Sequence, residues 1–390
     1  MTRRSSHLSL PPFGDVRGTD ARRSIAVPGD TLTLRQLNRA TLARQLLLER
    51  VKTDVADAVE RVGGLQAQEP KPPFIGLWTR LRGFRRKQLH DALHERRVVR
   101  GTTMRATLHL MSAADYRELR STLQPALTAA MAALRGRDQG LEVDQVLRAA
   151  RRILDEQPRR FAELRALLVE RFPDVNERAL GYATRMNLPL LMVPSDDRWS
   201  FPSDAPFTPA ETWLGAPLAK SDPPALVRRH LAAFGPASAA DVQAWSGLGG
   251  LTDVLDGMRD ELTEFKHGRR TLFDLPDAPR PGDDAPAPAR FLPEFDSLLL
   301  AHKDRSRVVA DEHRRSLTTK NLRVKATFLV DGFAAGSWSV ERKRDAATLT
   351  IAPFEPLPKR VRDELAAEAE ALLRFAEDDA PKHTVRFTSA

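Results

Sequence analysis

The spacing of apolar side chains predicts two amphipathic helices at the start of the patterned part of the chain. Thr33, followed three residues later by Gln36, forms a capping box that begins the first helix. The second helix has apolar side chains at i, i+3, i+4 and i+7, which mark one buried face. It would end at Gly63-Gly64, because glycine accepts the left-handed backbone that ends many helices. The buried face consists of Val55, Ala58, Val59 and Val62.

A third helix and two extended runs complete this first unit of the pattern. The helix lies near Leu89, and the runs cover residues 98–102 and 104–111. Apolar and polar positions alternate in the second run, so Arg105 and His109 are predicted to share one face of a strand. The order of helix, helix, helix and hairpin is that of a winged helix.

The same element order recurs twice more along the chain. The second round places its hairpin strands at residues 190–193 and 199–201. The third round is shorter, with a helix at residues 251–262 and hairpin strands at 262–266 and 271–275. A repeat of element order without sequence identity favours tandem modules of one kind.

The regions outside these rounds complete an α+β fold. Residues 1–30 have no periodicity and predict a disordered arm, and the proline- and aspartate-rich residues 276–289 predict a linker. Asp331-Gly332 is a strong hairpin turn signal, and a helix is predicted from residue 359 to about 377. The predicted domains are winged helices at 31–135, 136–220 and 221–275, followed by a C-terminal β-rich domain at 290–390 that ends in a helix.

Charge and composition narrow the class of partner. The chain has 61 Lys and Arg against 52 Asp and Glu, a net charge of +9, which favours a polyanion such as nucleic acid. Arginine-rich composition also follows from a GC-rich genome, so charge alone does not identify the partner. The chain has no cysteine and no histidine cluster, so no metal and no cofactor are predicted. We expect no membrane partner and a cytoplasmic protein that associates with the nucleoid when it acts.

Two glutamines after the second helix are the best candidate for a reaction centre. If the backbone is extended there, Gln66 and Gln68 point to one side while Leu65 and Ala67 point to the other. Two amides on one side can hold a water molecule in a fixed orientation. The alternative is that both glutamines only satisfy backbone groups in the turn, as most polar side chains do.

Three motifs in order along the chain resemble the AlkZ-like winged-helix DNA glycosylases. They are Gly64-Leu65-Gln66-Ala67-Gln68-Glu69-Pro70, Met104-Arg105-Ala106-Thr107-Leu108-His109-Leu110, and Leu292-Pro293-Glu294-Phe295-Asp296 with Lys303-Asp304-Arg305. The resemblance implies three stacked winged helices and a C-terminal β region around a concave DNA-binding channel. It also implies that Gln66 and Gln68 form a Gln-Φ-Gln motif, where Φ is apolar, that positions the water hydrolysing an N-glycosidic bond. A sister branch carries Gln-Φ-Asp.

This resemblance predicts a monofunctional glycosylase acting on duplex DNA that carries purines alkylated at N7 or N3. Such purines are cationic and leave readily, so strong acid catalysis is unnecessary, and two amide carbonyls suffice to place water and stabilise positive charge. The substrates extend to interstrand crosslinks or bulky natural-product adducts. Glu69 is expected to be structural. The alternatives are a non-catalytic winged-helix regulator, which would normally dimerise, and a drug-sequestering resistance protein, whereas a glycosylase works as a monomer.

Basic side chains near the glutamines are the candidates for DNA contact. The densest run follows the glutamine loop, and Arg105 and His109 extend from the predicted wing. The alternative for each is a solvated surface or, for His109, a packed histidine. Asp296 and Arg305 are expected to form architectural ion pairs. The basic run consists of Arg80, Arg82, Arg85, Arg86 and Lys87.

Overall fold

A computed structural model describes residues 29–319 and 323–389. The arm predicted at residues 1–30 therefore lies almost wholly outside the described residues. The helices are α1 (Leu34–Arg44), α2 (Val55–Arg61), α3 (Pro72–Arg80), α4 (Arg86–His94), α5 (Ala113–Leu119), α6 (Gln124–Ala129), α7 (Val143–Glu156), α8 (Phe161–Arg171), α9 (Glu177–Asn187), α10 (Ala210–Leu214), α11 (Pro223–Phe234), α12 (Ala239–Ser246), α13 (Leu251–Asp256) and α14 (Lys359–Ala376).

The strands form three sheets. One has the order β1-β3-β2-β4-β5, a second has the order β12-β11-β10-β9-β8, and β6 pairs with β7 alone. The strands are β1 (Leu65–Gln66), β2 (Val98–Thr102), β3 (Leu108–Ser112), β4 (Leu190–Met192), β5 (Phe207–Pro209), β6 (Thr263–His267), β7 (Arg270–Asp274), β8 (Arg290–Leu292), β9 (Thr327–Val330), β10 (Phe333–Lys343), β11 (Ala346–Pro353) and β12 (Lys382–Phe387).

The first sheet joins strands from the first two predicted rounds and carries the glutamine segment at its edge. Gln66 lies opposite His109, and Gly101 lies opposite Leu191 across the junction of β2 and β4. A side chain at Gly101 would lie 3.0 Å from the carbonyl oxygen of Leu190 in β4 and 2.8 Å from the ring of Tyr116, so the close approach of β2 to its neighbours requires glycine. The sheet continues from one round into the next.

The second sheet packs against α14, as a β-rich region closed by a helix predicts. Phe291 and Phe328 from the sheet and Leu365 and Leu372 from the helix are fully buried in one core. The predicted turn at Asp331-Gly332 joins β9 to β10, with both residues at positive φ. The parallel pairing of β12 with β11 was not predicted.

Three predicted elements are wrong. Residues 104–111 are not one strand, because Arg105 and Ala106 have positive φ and turn the chain before β3. Residues 199–201 are not a strand, because Ser200 also has positive φ and closes a turn onto Asp197, so β5 is the partner of β4. The helix predicted at 251–262 ends at Asp256.

Residues 276–289 contain no helix or strand, yet they pack against α1. Arg35 donates from Nε to the carbonyl oxygen of Asp283 at 2.7 Å, and Arg39 donates to that of Ala285 at 2.7 Å. Arg39 is fully buried and also pairs with Asp331 in the turn between β9 and β10. This segment therefore joins the helical part of the chain to the β-rich part along α1.

Candidate functional site

The turn after α2 places the glutamine segment at the sheet edge. Gly63 and Gly64 have φ of 72° and 83°, so the helix ends where the sequence predicts. A side chain at Gly63 would lie 3.0 Å from both Ala233 and Phe234, so α11 packs directly on this turn. The buried Gln45 ties the turn to α11, because its Nε2 donates to the carbonyl oxygens of Val62 and Ala233.

The Gln-Φ-Gln segment is buried as far as Ala67 and becomes exposed at Gln68. Leu65 and Ala67 belong to the hydrophobic core, whereas Gln68 is exposed and Gln66 is 8% exposed. The amide nitrogen of Ala67 donates to the carbonyl oxygen of Leu108 at 2.7 Å, which continues the ladder of β1 and β3. The chain then bends from Gln68 onward.

Arg105 binds the side chain of Gln66. Its Nη2 donates to Gln66 Oε1 at 3.0 Å, and its Nη1 donates to the carbonyl oxygen of Trp245. Burial, with a smaller contribution from Arg305, lowers the pKa of Arg105 to about 10, so the guanidinium remains charged at neutral pH. Arg105, which the sequence predicts as a DNA contact, holds the side-chain amide of Gln66 in this structure.

Two further arginines hold the rest of the motif, and neither was identified from the sequence. Arg100 donates from Nε to the carbonyl oxygen of Ala67 at 3.0 Å and from Nη2 to that of Gln68 at 3.2 Å. Arg323 bridges Glu69 and Glu294, at 3.4 and 2.9 Å. An arginine inside the apolar run of β2 was the available signal for Arg100, because a buried guanidinium must bind carbonyl or carboxylate oxygens.

His109 is a packed residue and not a DNA contact. It is fully buried, and its Nδ1 donates to the carbonyl oxygen of Thr107 at 3.1 Å. Burial and the nearby Arg105 lower the pKa of His109 to about 3, so the imidazole is neutral. The prediction that it reaches phosphate is wrong, because no part of the side chain reaches solvent.

Arg80 is likewise excluded as a phosphate contact. It is fully buried, and both Nη atoms donate to the carboxylate of Asp296 at 2.9 Å. The architectural role expected for Asp296 is confirmed by this pair. Arg305, expected to pair in the same way, has no carboxylate partner among residues 29–319 and 323–389.

The remaining basic residues differ in exposure. Arg82, Arg85 and Lys87 are exposed, with Arg82 paired to Glu49 and Lys87 to Asp91. Arg86 is half-buried and holds the end of α14 through Asp378 and the carbonyl oxygen of Phe375. Arg85, Arg86 and Lys87 line an open cavity of about 640 Å³ between α4, the β4–β5 loop and α14, whereas Arg82 is not part of its lining. The cavity is lined by Phe84, Arg85, Arg86, Lys87, His90, Asp91, His94, Asp196, Arg198, Arg374, Phe375 and Asp378.

The described residues hold no group of three or more metal-ligating side chains. A search of the same residues finds no helix with the length and apolarity needed to span a membrane.

The structure is an α+β protein in which Arg105 binds the side chain of Gln66 and Arg100 binds the backbone of Ala67 and Gln68 at the edge of a sheet. A model of the AlkZ-like DNA glycosylase family matches residues 59–375. The chain therefore belongs to the AlkZ-like DNA glycosylase family. It is 27% identical over 367 residues to an interstrand DNA cross-link repair glycosylase of Streptomyces sahachiroi, covering 86% of this chain and 96% of the relative. The solved structure of the DNA glycosylase AlkZ from the same organism matches with a TM-score of 0.75 at 23% identity, covering 92% of this chain and 100% of that one.

Proposed function

We propose that this protein hydrolyses the N-glycosidic bond of purines alkylated at N7 or N3 in duplex DNA, with Gln66 and Gln68 positioning the attacking water. The observation that supports this most directly is the hydrogen bond from Arg105 Nη2 to Gln66 Oε1 at 3.0 Å, which fixes the amide of Gln66 two residues before the exposed Gln68. Leu65 and Ala67 anchor the segment in the hydrophobic core on either side of Gln66. Arg100 and Arg105 fix the backbone and one amide, as a preorganised site requires.

Hydrolysis of this bond does not require the protein to protonate the leaving base. An alkylated purine already carries positive charge, so it departs with the electrons of the C1′–N bond and becomes neutral. The sugar develops oxocarbenium character, and water adds to C1′. Uncharged amides suit this reaction, because they orient water without the desolvation cost of a buried carboxylate.

In this proposal the DNA contacts are the basic side chains that are exposed to solvent. Three winged-helix units and the C-terminal β-rich region form a concave channel for duplex DNA in this proposal, and one chain acts alone. Arg82, Arg85 and Lys87 are the exposed cations of the basic run and contact phosphate. The net charge of +9 supports a polyanionic partner.

The substrate range in the proposal includes crosslinked purines. The Streptomyces sahachiroi relative bears the name interstrand DNA cross-link repair glycosylase. Gln68 is exposed, so its side chain is accessible to a lesion larger than a methylated base. We extend the proposal to the unhooking of crosslinks formed at purine N7.

The test is release of N7-methylguanine from a defined duplex, followed by hot alkali to cut the strand at abasic sites. Wild-type protein is expected to produce strand cuts only at the lesion, and the Gln66→Ala, Gln68→Ala double variant is the matched control for contaminating activity. Binding of the duplex without cuts would support a regulator, and tight capture of the free alkylating drug without cuts would support sequestration. Either result would exclude the glycosylase.

A further inference from the structure

We propose that Arg105 gives the two glutamines unequal roles, so that Gln66 donates a hydrogen bond to the attacking water and Gln68 accepts one from it. The inference rests on the proposed function, because it assigns roles within the same site. It differs from a symmetric mechanism in which both amide carbonyls accept hydrogen bonds.

The orientation of the Gln66 amide follows from the chemistry of its partner. A guanidinium has only N–H donors, so the group 3.0 Å from Arg105 Nη2 must be the carbonyl oxygen of Gln66. The amide nitrogen therefore lies at the other end of the amide. It has no acceptor in the described part of the protein, so its hydrogens are available to a bound molecule.

Arg105 is itself fixed from two sides. Its Nη1 donates to the carbonyl oxygen of Trp245 near the end of α12. Its backbone has φ of 53°, and Gly247 packs so closely that an added side chain there would lie 3.3 Å from Arg105 N and Cα. Within the described ranges no carboxylate pairs with Arg105, so none competes with Gln66 for the guanidinium.

Gln68 is held differently. Arg100 binds only its backbone carbonyl, and its side chain is exposed with no hydrogen-bond partner in residues 29–319 and 323–389. Its amide is free to turn its oxygen toward a bound water. Arg105 takes one of the two lone pairs of the Gln66 carbonyl oxygen and turns the amide so that its N–H donors lie at the other end, so we assign the acceptor role to the Gln68 oxygen.

These roles leave the water correctly arranged for attack. The water accepts one hydrogen bond from Gln66 and donates one to Gln68, which leaves a lone pair for C1′. The O–C1′ bond forms, the C1′–N bond breaks, and its electron pair neutralises the cationic purine. The surplus proton on the added water passes to solvent. The products are the neutral alkylpurine and an abasic site.

The first test exchanges each amide for a carboxylate of the same shape. Gln68→Glu keeps an acceptor and should excise N7-methylguanine within about threefold of the wild-type rate. Gln66→Glu keeps the contact with Arg105 but has no donor, so the rate should fall roughly 10- to 1000-fold, the range for one preorganised polar contact. Equal rates for the two variants would overturn the division of roles.

The second test asks whether Arg105 acts through Gln66. Arg105→Met should slow single-turnover excision roughly 10- to 100-fold with unchanged DNA affinity, and should have no further effect in a Gln66→Ala background. Arg105→Lys retains a cationic donor and should restore part of the rate. Arg96→Met is the matched control, because Arg96 also has positive φ and donates to a tryptophan carbonyl, that of Trp213 at 2.9 Å, without touching a glutamine.

A third measurement does not depend on catalysis. In protein labelled with ¹⁵N-glutamine, the Gln66 side-chain signal is identified by its loss in Gln66→Ala. This signal should shift in Arg105→Met and stay in place in Arg96→Met. No shift, or independent additive effects on excision, would overturn the positioning role. If the Gln66 signal shifts in Arg105→Met but the wild-type protein excises nothing, the Arg105–Gln66 contact is established. The water roles and the proposed function are then both rejected.

Discussion

The buried ion pair between Arg80 and Asp296 predicts that replacing Arg80 lowers the stability of the protein. The sequence alone predicted that the same replacement weakens DNA binding. Replacing Arg80 with methionine removes the two hydrogen bonds to the carboxylate, both at 2.9 Å. It also removes donors to the carbonyl oxygens of Gln45 and Gly76, each at 3.0 Å. Asp296 is 3% exposed and would remain as an uncompensated buried charge.

The expected cost follows from that stranded carboxylate. Removing one partner of a buried ion pair costs about 3 to 5 kcal/mol, because the remaining ion is desolvated without compensation. Replacing both partners with apolar side chains avoids this cost. The double variant Arg80→Met, Asp296→Leu should therefore recover most of the stability lost by Arg80→Met alone, although Leu298 loses the acceptor for its amide nitrogen.

Urea unfolding followed by circular dichroism measures these differences, and fluorescence anisotropy with a labelled duplex measures DNA affinity. We expect Arg80→Met to lower the unfolding free energy by about 3 kcal/mol or more while DNA affinity of the folded protein stays the same. The reasoning is refuted if Arg80→Met unfolds like the wild type. It is also refuted if the variant loses about one unit from the slope of log affinity against log salt, the signature of a lost phosphate contact.

Three further predictions follow from the site and its surroundings. Gly247→Ala should slow excision without changing DNA affinity, measured in single turnover, because a side chain at this positive-φ position presses on Arg105. Affinity for duplex DNA should fall at least roughly tenfold between low and moderate salt, and Arg85→Ala should reduce the salt slope by about one. The folded pKa of His109, about 3, lies below its unfolded value of 6.5, so the unfolded chain binds this proton more tightly and stability falls as pH drops from about 7 toward 3. His109→Gln should flatten that fall by up to about 1.4 kcal/mol per pH unit in urea titrations, and an unchanged pH slope would contradict the buried neutral imidazole.

The sequence correctly predicted the caps and turns that depend only on residues close together in the chain. The capping box of Thr33 and Gln36 is present, and Gly63-Gly64 ends α2 at positive φ. The Asp331-Gly332 turn is also in place. Each of these features depends on backbone geometry within a few residues, so a short stretch of sequence specifies it.

The wrong predictions concern partners that are distant in the sequence. Arg80 looks like surface charge within its basic run, but Asp296 lies 216 residues away and draws it into the core. The strand predicted at residues 104–111 fails for a similar reason. The side chain of Arg105 in this turn donates to the carbonyl oxygen of Trp245, which lies 140 residues further along the chain. No local sequence pattern predicts that contact.

The sequence singled out the glutamines of the candidate site but not the contacts that arginines make with them. Gln66 and Gln68 stood out because the motif brings two amides together in the sequence. In the structure Gln66 is buried against Arg105 and Gln68 is exposed, and their joint action on a water stays a prediction. Arg100 and Arg323 were missed, because they act through backbone carbonyls and through Glu69, which lies 254 residues from Arg323. Such supporting contacts depend on the fold and are not visible as sequence spacing.

The most direct test of the account is the single-turnover rate of N7-methylguanine release by wild type, Gln68→Ala and Gln68→Asp. The protein should be saturating, and DNA affinity and unfolding free energy should be measured on the same samples. We predict that Gln68→Ala is slower by roughly 10- to 1000-fold with unchanged affinity and stability, and that Gln68→Asp, which restores an acceptor, remains active. A Gln68→Ala variant that releases the base at the wild-type rate would contradict the central claim that Gln68 positions the attacking water.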